Sequence, residues 1–166
     1  MDTLFPCPQK NVVKRVLPFL LLAMALPIYA HKSVQYYFKS LDVDDGLSQN
    51  TVCQILQDRK GFMWFGTKEG LNRYDGASFH VYKKENSDLS KNFITALFED
   101  DKGFIWVGTD GGVFVYSPQE DIFTPFNISS DRNSRITEYV TYIRGDGQDI
   151  WIAAEKQGLF HYDRDK

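Results

Sequence analysis

The residues best suited to chemistry are polar side chains that recur at matching places in a repeated segment. Amides, hydroxyls and charges of both signs can hydrogen-bond to sugar hydroxyls and pair with uronate carboxylates, and such residues often lie on loops held by a rigid scaffold. The candidate ligand-binding residues are Gln49, Asn50, Lys68, Glu69, Lys91, Asn92, Asp110, Glu155 and Lys156. An alternative is that these loops are polar because they are solvated, and that Asn50 and Asn92 only stabilise turns.

No group of residues predicts catalysis or metal binding. His80 lies between Phe79 and Val81 without an acidic neighbour, and no histidine has a phosphoacceptor-like context. The acidic stretch that starts at Asp42 begins like a calcium loop, but its twelfth position is Cys53 and not a bidentate glutamate. We therefore expect no catalytic residue, no metal and no cofactor in this chain.

Composition excludes several classes of protein. The chain has 166 residues, of which 43% are hydrophobic and 25% are charged, so a disordered or collagen-like protein is excluded. A net charge of −3 gives no electrostatic reason to expect contact with nucleic acid. The only cysteines are Cys7 and Cys53, which excludes a disulfide scaffold. We expect Cys53 to be buried as a small hydrophobe.

The first thirty residues have the pattern of a secretory signal peptide. Lys10, Lys14 and Arg15 precede an apolar run over residues 16–26, and a small residue, Ala30, stands at the expected cleavage position. The run is far shorter than the roughly 20 residues that a membrane-spanning helix needs. We predict a signal-peptide helix over residues 1–30, with a buried N-terminal helix or an uncleaved anchor as the alternative.

A repeat organises the rest of the chain. Residues 61–67 recur as residues 103–109 at an offset of 42, and a looser third copy covers residues 150–163. The structural positions of the repeat are Trp64, Trp106, Trp151, Gly66, Gly108, Tyr74, Tyr116 and Tyr162.

Each copy predicts four short antiparallel strands, which is typical of a propeller blade. In the first copy they cover residues 51–57, 62–67, 71–74 and 78–82, and the first of them is expected to be buried on both faces. The fold class is therefore all-β: an incomplete β-propeller of about three four-stranded blades. An immunoglobulin-like sandwich is the rival, but it would not repeat Trp, Gly and Tyr at constant offsets.

The repeated residues have mechanical explanations. A tryptophan at one point of each blade can fill the wedge between adjacent sheets, and a glycine two positions later leaves room for a neighbouring group. A sugar-stacking platform is the alternative role for the tryptophans.

The predicted organisation is a leading strand and connection (31–46), blade 1 (47–86), blade 2 and a linker (87–130), and an incomplete blade 3 (131–166). The leading strand would cover residues 34–43, and residues 118–135 would be a connection with little order. Closed propellers use about four to eight blades. We therefore expect a fragment of a larger protein with an edge prone to association.

Residues 45–52, 58–67 and 70–76 resemble the two-component regulator propeller repeat, and the second copy matches it nearly as well. The third copy departs from the repeat, with Ala153 and Ala154 in place of the usual Gly-Thr pair. The resemblance covers most of the chain after the leader. It implies the N-terminal periplasmic sensor fragment of a hybrid two-component system histidine kinase, with the kinase itself absent from this chain.

The same resemblance implies a function and partners. The segment would sense an oligosaccharide or another extracellular small ligand, would pack against the remaining blades of its parent, and would form a homodimer in the full-length protein. It would be periplasmic, would not be an enzyme and would not contact nucleic acid. The alternatives are a fragment of a propeller-fold glycan lyase or hydrolase, or a structural protein-binding propeller.

Overall fold

A computed structural model of the chain describes residues 35–127, 135–146 and 149–163. The chain divides into two compact units, Met1–Phe38 and Lys39–Lys166. In the first unit only residues 35–38 are described, and they are exposed without regular secondary structure. The predicted signal peptide and its cleavage position lie outside the described residues.

The described residues of the second unit form a short 3₁₀-helix and three antiparallel sheets. The 3₁₀-helix covers Val43–Asp45. The first sheet, blade 1, has its four strands in chain order: β1 (Val52–Gln57), β2 (Met63–Thr67), β3 (Gly70–Tyr74) and β4 (Phe79–Tyr82).

Blade 2 repeats this arrangement and blade 3 has three described strands. Blade 2 contains β5 (Ile94–Glu99), β6 (Ile105–Thr109), β7 (Gly112–Ser117) and β8 (Ile122–Pro125). Blade 3 contains β9 (Val140–Asp146), β10 (Asp149–Ala154) and β11 (Gly158–Asp163), with β10 in the centre. The all-β prediction and the prediction of antiparallel blades are confirmed.

The hydrophobic core lies between the blades and not inside one sheet. One cluster joins blades 1 and 2 and includes Trp64 and Tyr116. A second cluster joins blades 2 and 3 and includes Trp106 and Ile150. Trp64 and Trp106 are 1% and 3% exposed, so each fills the space between its own sheet and the next one. Each sheet therefore depends on its neighbour to bury its apolar face.

Two glycines permit the close approach of neighbouring blades. A Cβ at Gly66 would lie 2.7 Å from Cγ2 of Ile94, the first residue of β5. A Cβ at Gly108 would lie 2.7 Å from Cγ1 of Val140, the first residue of β9. In both interfaces, the branched side chain that begins one blade therefore packs against a glycine of the preceding blade.

The first strands of the three blades, β1, β5 and β9, lie beside one another and share an irregularity. The pairing register of each shifts near its start, which leaves Cys53, Thr95 and Thr141 as extra residues in their strands. Bulges of this kind raise the local twist of a strand. The repeat therefore extends to backbone irregularities that its sequence motif does not mark.

Two predicted boundaries differ from the structure. The described part of the leading segment, residues 35–42, is not a strand, because a strand forms only where a neighbouring edge supplies hydrogen-bond partners. The connection predicted over residues 118–135 contains β8, which pairs with β7 from Ser117 to Phe114. The prolines and polar residues of this segment are typical of a loop, and for that reason the short edge strand was not predicted.

Burial also differs from the sequence-based expectation at the two outer blades. Cys53 is exposed, and β1 is mostly exposed, with Ile55 at 64%. Trp151 is 44% exposed, although it occupies the same register position as Trp64 and Trp106. The cause is the same in each case: within the described residues no further sheet covers these faces.

Candidate functional site

An open cleft of about 400 Å³ lies where the loops of blades 1 and 2 meet. It is lined by Lys68, Glu69, Lys84, Ser90, Lys91, Asn92, Phe93 and Asp110. These residues come from the β2–β3 turn, the β4–β5 connection and the β6–β7 turn. We call this the ligand cleft.

Two matching hairpin turns position the charged residues of the ligand cleft. The buried hydroxyl of Thr67 accepts the N–H of Glu69 at 3.0 Å and donates to the carbonyl of Gly70 at 3.0 Å. In blade 2 the hydroxyl of Thr109 donates to the carbonyl of Gly112 at 2.9 Å in the same way. The turns that carry Lys68, Glu69 and Asp110 are therefore anchored by threonines in the sheets.

Asn92 fixes the connection that forms another wall of the cleft. Its Oδ1 accepts the N–H of Lys84 at 2.8 Å, and its Nδ2 donates to Oε2 of Glu85 at 3.3 Å. Lys84 forms an ion pair with the same Glu85 at 3.7 Å. Asn92 therefore stabilises a loop, as the alternative to ligand binding predicted, although it lines the cleft.

The ligand cleft combines ammonium groups with an aromatic ring. Nζ of Lys68 lies 5.7 Å from the centroid of the Phe93 ring. Among the ion pairs of the described residues, Lys84 has a partner, whereas neither Lys68 nor Lys91 takes part in one. Phe93 is held in turn by edge-on contact with Tyr139, at 5.6 Å between ring centroids. The cleft therefore presents ammonium groups, which suit hydroxyl or carboxylate groups, beside an aromatic ring, which suits a C–H face.

The structure brings together five of the nine predicted ligand-binding residues: Lys68, Glu69, Lys91, Asn92 and Asp110. Of the other four, Asn50 accepts the N–H of Val43 at 3.0 Å in a loop, and the buried Oε1 of Gln49 has no hydrogen-bond partner among the described residues. Glu155 and Lys156 lie exposed in the β10–β11 turn of blade 3. None of these four lines the cleft.

Sequence reasoning missed Lys84 and Phe93. Lys84 belongs to the β4–β5 connection, whose fold across the cleft depends on Asn86 and Asn92 side chains binding its backbone. Phe93 directly follows Asn92, which was predicted. The only signal in the sequence that could have identified Phe93 is an aromatic residue next to a polar loop.

A second polar group, the interblade network, lies between blades 1 and 2 away from the ligand cleft. The hydroxyls of Tyr116 and Tyr82 donate to Oδ1 of Asp121 at 2.6 and 2.8 Å. Nη1 of Arg73 donates to the Tyr116 hydroxyl at 3.0 Å and lies 3.9 Å from the Asp121 carboxylate. The tyrosine hydroxyls in this largely apolar interface therefore have partners.

The interblade network shifts the ionisation of its members. The hydrogen bond from Tyr116, assisted by Tyr82 and the positive charge of Arg73, lowers the pKa of Asp121. Burial raises the pKa of Tyr82 and of Tyr116, and their hydrogen bonds to Asp121 raise both further. Asp121 is consequently ionised and both tyrosines are neutral donors near neutral pH.

We predict that Asp121→Asn lowers the free energy of unfolding by about 1 kcal/mol at pH 7, a modest loss because the carboxylate is partly exposed. Because the folded pKa of Asp121 is depressed, its stabilisation is present above the unfolded pKa of about 3.9 and is lost as pH falls through the folded value. Urea unfolding at pH 7 and near pH 3 measures this. The prediction would be contradicted if the native and variant chains differed in free energy of unfolding by the same amount at both pH values.

A third feature, the aspartate clamp, occurs once in each of blades 1 and 2. Oδ2 of Asp58 accepts the indole N–H of Trp64 at 2.8 Å, and its Oδ1 accepts two backbone N–H groups of the β1–β2 turn. Asp100 binds Trp106 and the β5–β6 turn with the same contacts and nearly the same distances. The clamp joins the turn to the tryptophan that fills the interface.

Among the described residues of blade 3 there is no aspartate clamp, and only two positions separate the end of β9 from the start of β10. Asp146 precedes Trp151 by five residues, whereas Asp58 precedes Trp64 by six. The Trp151 ring instead stacks on His161 at 4.1 Å between centroids, and His161 Nε2 lies 2.6 Å from Asp149 Oδ1.

No group of three or more metal-ligating side chains occurs among the described residues. In the same part of the chain, no helix has the length and apolarity needed to cross a membrane.

The repeated sheets, with their tryptophan-filled and glycine-notched interfaces, define consecutive blades of a β-propeller. Comparison with known proteins identifies the kind of blade. Residues 46–69 and 88–111 match the family model described as Two component regulator propeller. This match confirms the sequence resemblance to the two-component regulator propeller repeat for both segments.

Solved structures show the same similarity. The extracellular domain of BT3049 from B. thetaiotaomicron, assigned as a hybrid two component system, matches 77% of this chain at 30% identity with a TM-score of 0.62. The extracellular domain of BT4673 from the same organism, assigned as a one component system, matches 81% at 28% identity with a TM-score of 0.66.

Histidine kinase P4 of Formosa agariphila is 38% identical over 81 residues, or 48% of this chain. This chain spans 20% and 19% of the two solved chains and 6% of the kinase sequence. The solved matches are extracellular domains and not kinase domains, in agreement with the prediction that this chain is not an enzyme.

Proposed function

We propose that this chain is a ligand-sensing periplasmic segment of a two-component sensor and that its ligand cleft binds an oligosaccharide. The observation that carries the proposal is the convergence of five predicted residues on one cleft beside an aromatic ring. The ring of Phe93 offers a face for sugar C–H groups, and the ammonium groups of Lys68 and Lys91 suit hydroxyls or a uronate carboxylate.

The position of the cleft supports a role in signalling. Its walls come from both blade 1 and blade 2, so a bound ligand would favour one arrangement of their loops. Binding shifts a conformational equilibrium only if the ligand has different affinities for the two states. In the complete sensor, the exposed faces that carry Trp151 and Ile55 would pack against further blades, and the full-length protein would act as a homodimer.

Calorimetric titration of the chain with oligogalacturonides and with neutral galacto-oligosaccharides tests the proposal. We expect saturable binding of at least one glycan with no product formed. Lys68→Ala and Lys91→Ala should each weaken that binding about tenfold, the usual effect of losing one charge-assisted hydrogen bond.

Lys60→Ala is the matched control for this titration, because Lys60 is an exposed lysine in the β1–β2 turn, away from the cleft. It should leave the affinity unchanged. Equal losses in all three variants would contradict the cleft assignment, and release of shorter glycans would favour the lyase or hydrolase alternative.

A further inference from the structure

The interface between blades 2 and 3 contains a cavity that is separate from the ligand cleft. It has a volume of about 290 Å³ and lies near the β5–β6 turn, whereas the cleft lies near the β6–β7 turn. Four rings form most of its wall, together with the side chains of an acid, a lysine and a valine. The lining residues are Asp100, Lys102, Phe104, Trp106, Val115, Phe126 and Tyr162.

The interface between blades 1 and 2 has the same set of rings in the same places. Phe62 and Phe104 each precede the interface tryptophan by two residues, and Tyr116 and Tyr162 come from the third strand of the following blade. Tyr82 and Phe126 are also equivalent. Tyr82 pairs with Leu71, and the N–H of Phe126 donates to the carbonyl of Val113, which occupies the position of Leu71 in blade 2. The two aromatic boxes therefore correspond ring by ring.

In the first box a cation occupies the space between the rings. The guanidinium carbon of Arg73 lies 5.2 Å from the centroid of Phe62 and 5.8 Å from the centroids of both Trp64 and Tyr82. These distances are within the range of cation–π attraction. Its Nη1 also donates to the hydroxyl of Tyr116. The first box is thus a site for a guanidinium group, filled from its own sheet.

In the second box the residue at the position of Arg73 is Val115. The register is the same, since Trp64 pairs with Arg73 and Trp106 pairs with Val115. Valine ends at its methyl groups, so the volume that the guanidinium takes in the first box becomes the cavity in the second. The rings still pack on each other, with Trp106 4.7 Å from Phe126 and 6.0 Å from Tyr162 between centroids.

The electrostatic surroundings of the cavity also suit a cation. The ring faces are negative, and the carboxyl group of Asp100, 1% exposed, lines the cavity. Lys102 adds one positive charge at the same site. Its equivalent Lys60 precedes the first box and does not prevent Arg73 from occupying that box.

We propose that this cavity binds the guanidinium or ammonium group of an organic cation. The bound group takes the place of the arginine side chain that the second repeat lacks. It is carried either by a small molecule or by the side chain of another protein. The proposal is independent of the function of the ligand cleft.

Titration of the full chain with agmatine, an alkylguanidinium, tests the proposal. The readout is the indole N–H resonance of Trp106, assigned by its loss in Trp106→Phe. We expect a saturable shift at millimolar agmatine and no shift with n-butylurea, an uncharged analogue. A capped Gly-Arg-Gly peptide distinguishes the two sources: binding of agmatine alone supports a small-molecule cation, and binding of both also supports a protein side chain.

Val115→Arg should weaken agmatine binding at least tenfold, because the new side chain fills the cavity as Arg73 fills its counterpart. Lys60→Ala is the control, because Lys60 is the equivalent exposed lysine of blade 1 and lies outside the cavity, and it should leave agmatine binding unchanged. If Val115→Arg does not fold, Val115→Met fills the same volume without charge and should also weaken binding. Equal binding of agmatine by native and filled variants, equal binding of n-butylurea, or no agmatine-induced shift would overturn the proposal.

Discussion

Asp100→Ala is expected to lower the free energy of unfolding by about 3–5 kcal/mol, one of the two largest effects predicted for this chain. The carboxyl group is 1% exposed and accepts three hydrogen bonds, from the Trp106 indole and two backbone N–H groups. Removing it leaves buried donors unpaired, and each costs about 1–3 kcal/mol. Asp58→Ala should have a similar effect on the equivalent clamp in blade 1.

A graded series separates the clamp from a general loss of packing. Asp100→Asn retains one carbonyl for the backbone N–H groups but directs an amide donor at the indole N–H. We therefore expect a loss of about 1–3 kcal/mol, between the native chain and Asp100→Ala. Urea unfolding followed by tryptophan fluorescence measures the series, with the exposed Glu120→Gln as a control that should be neutral. An Asn variant as stable as the native chain would contradict this account.

Gly108→Ala is expected to destabilise the chain by about 1–3 kcal/mol through overpacking. The added Cβ would lie 2.7 Å from Cγ1 of Val140 and 3.0 Å from Cβ of Ala96, closer than such atoms can pack. Either the side chains or blade 3 must move. Gly66→Ala should behave similarly, since its Cβ would meet Ile94 at the same distance.

The third blade contains a natural control for this prediction. Ala153 lies at the register position of Gly66 and Gly108, on the face that no described sheet covers. Ala153→Gly should therefore change stability by about 1 kcal/mol or less, the ordinary cost of glycine in a strand. Combining Gly108→Ala with Val140→Ala should cost less than the sum of the single effects. Strict additivity would show that the two residues are not coupled.

Local features of this protein could be predicted from sequence. The strands of blade 1 match the predicted positions within one residue, because their turn residues and β-branched stretches act locally. The constant offset of 42 predicted that Trp64 and Trp106 lie in equivalent environments, and they do. The same offset relates Lys68 to Asp110, which were both predicted as ligand-binding residues and both line one cleft.

Non-local contacts decided the rest. Trp151 was expected to be buried because of its place in the repeat, and Cys53 because of its residue type. Both are exposed, because burial depends on which sheet lies opposite and not on the residue itself. Arg73 in the first repeat and Val115 in the second occupy equivalent positions. The sequence shows this difference, but only the arrangement of the surrounding rings shows that one box is filled and the other contains a cavity. The repeat and its turn residues are enough to predict the blades, their order and their repeated contacts. They do not predict which faces are covered, which loops form the cleft or which aromatic box is filled, because each of these depends on residues that meet only when neighbouring sheets pack.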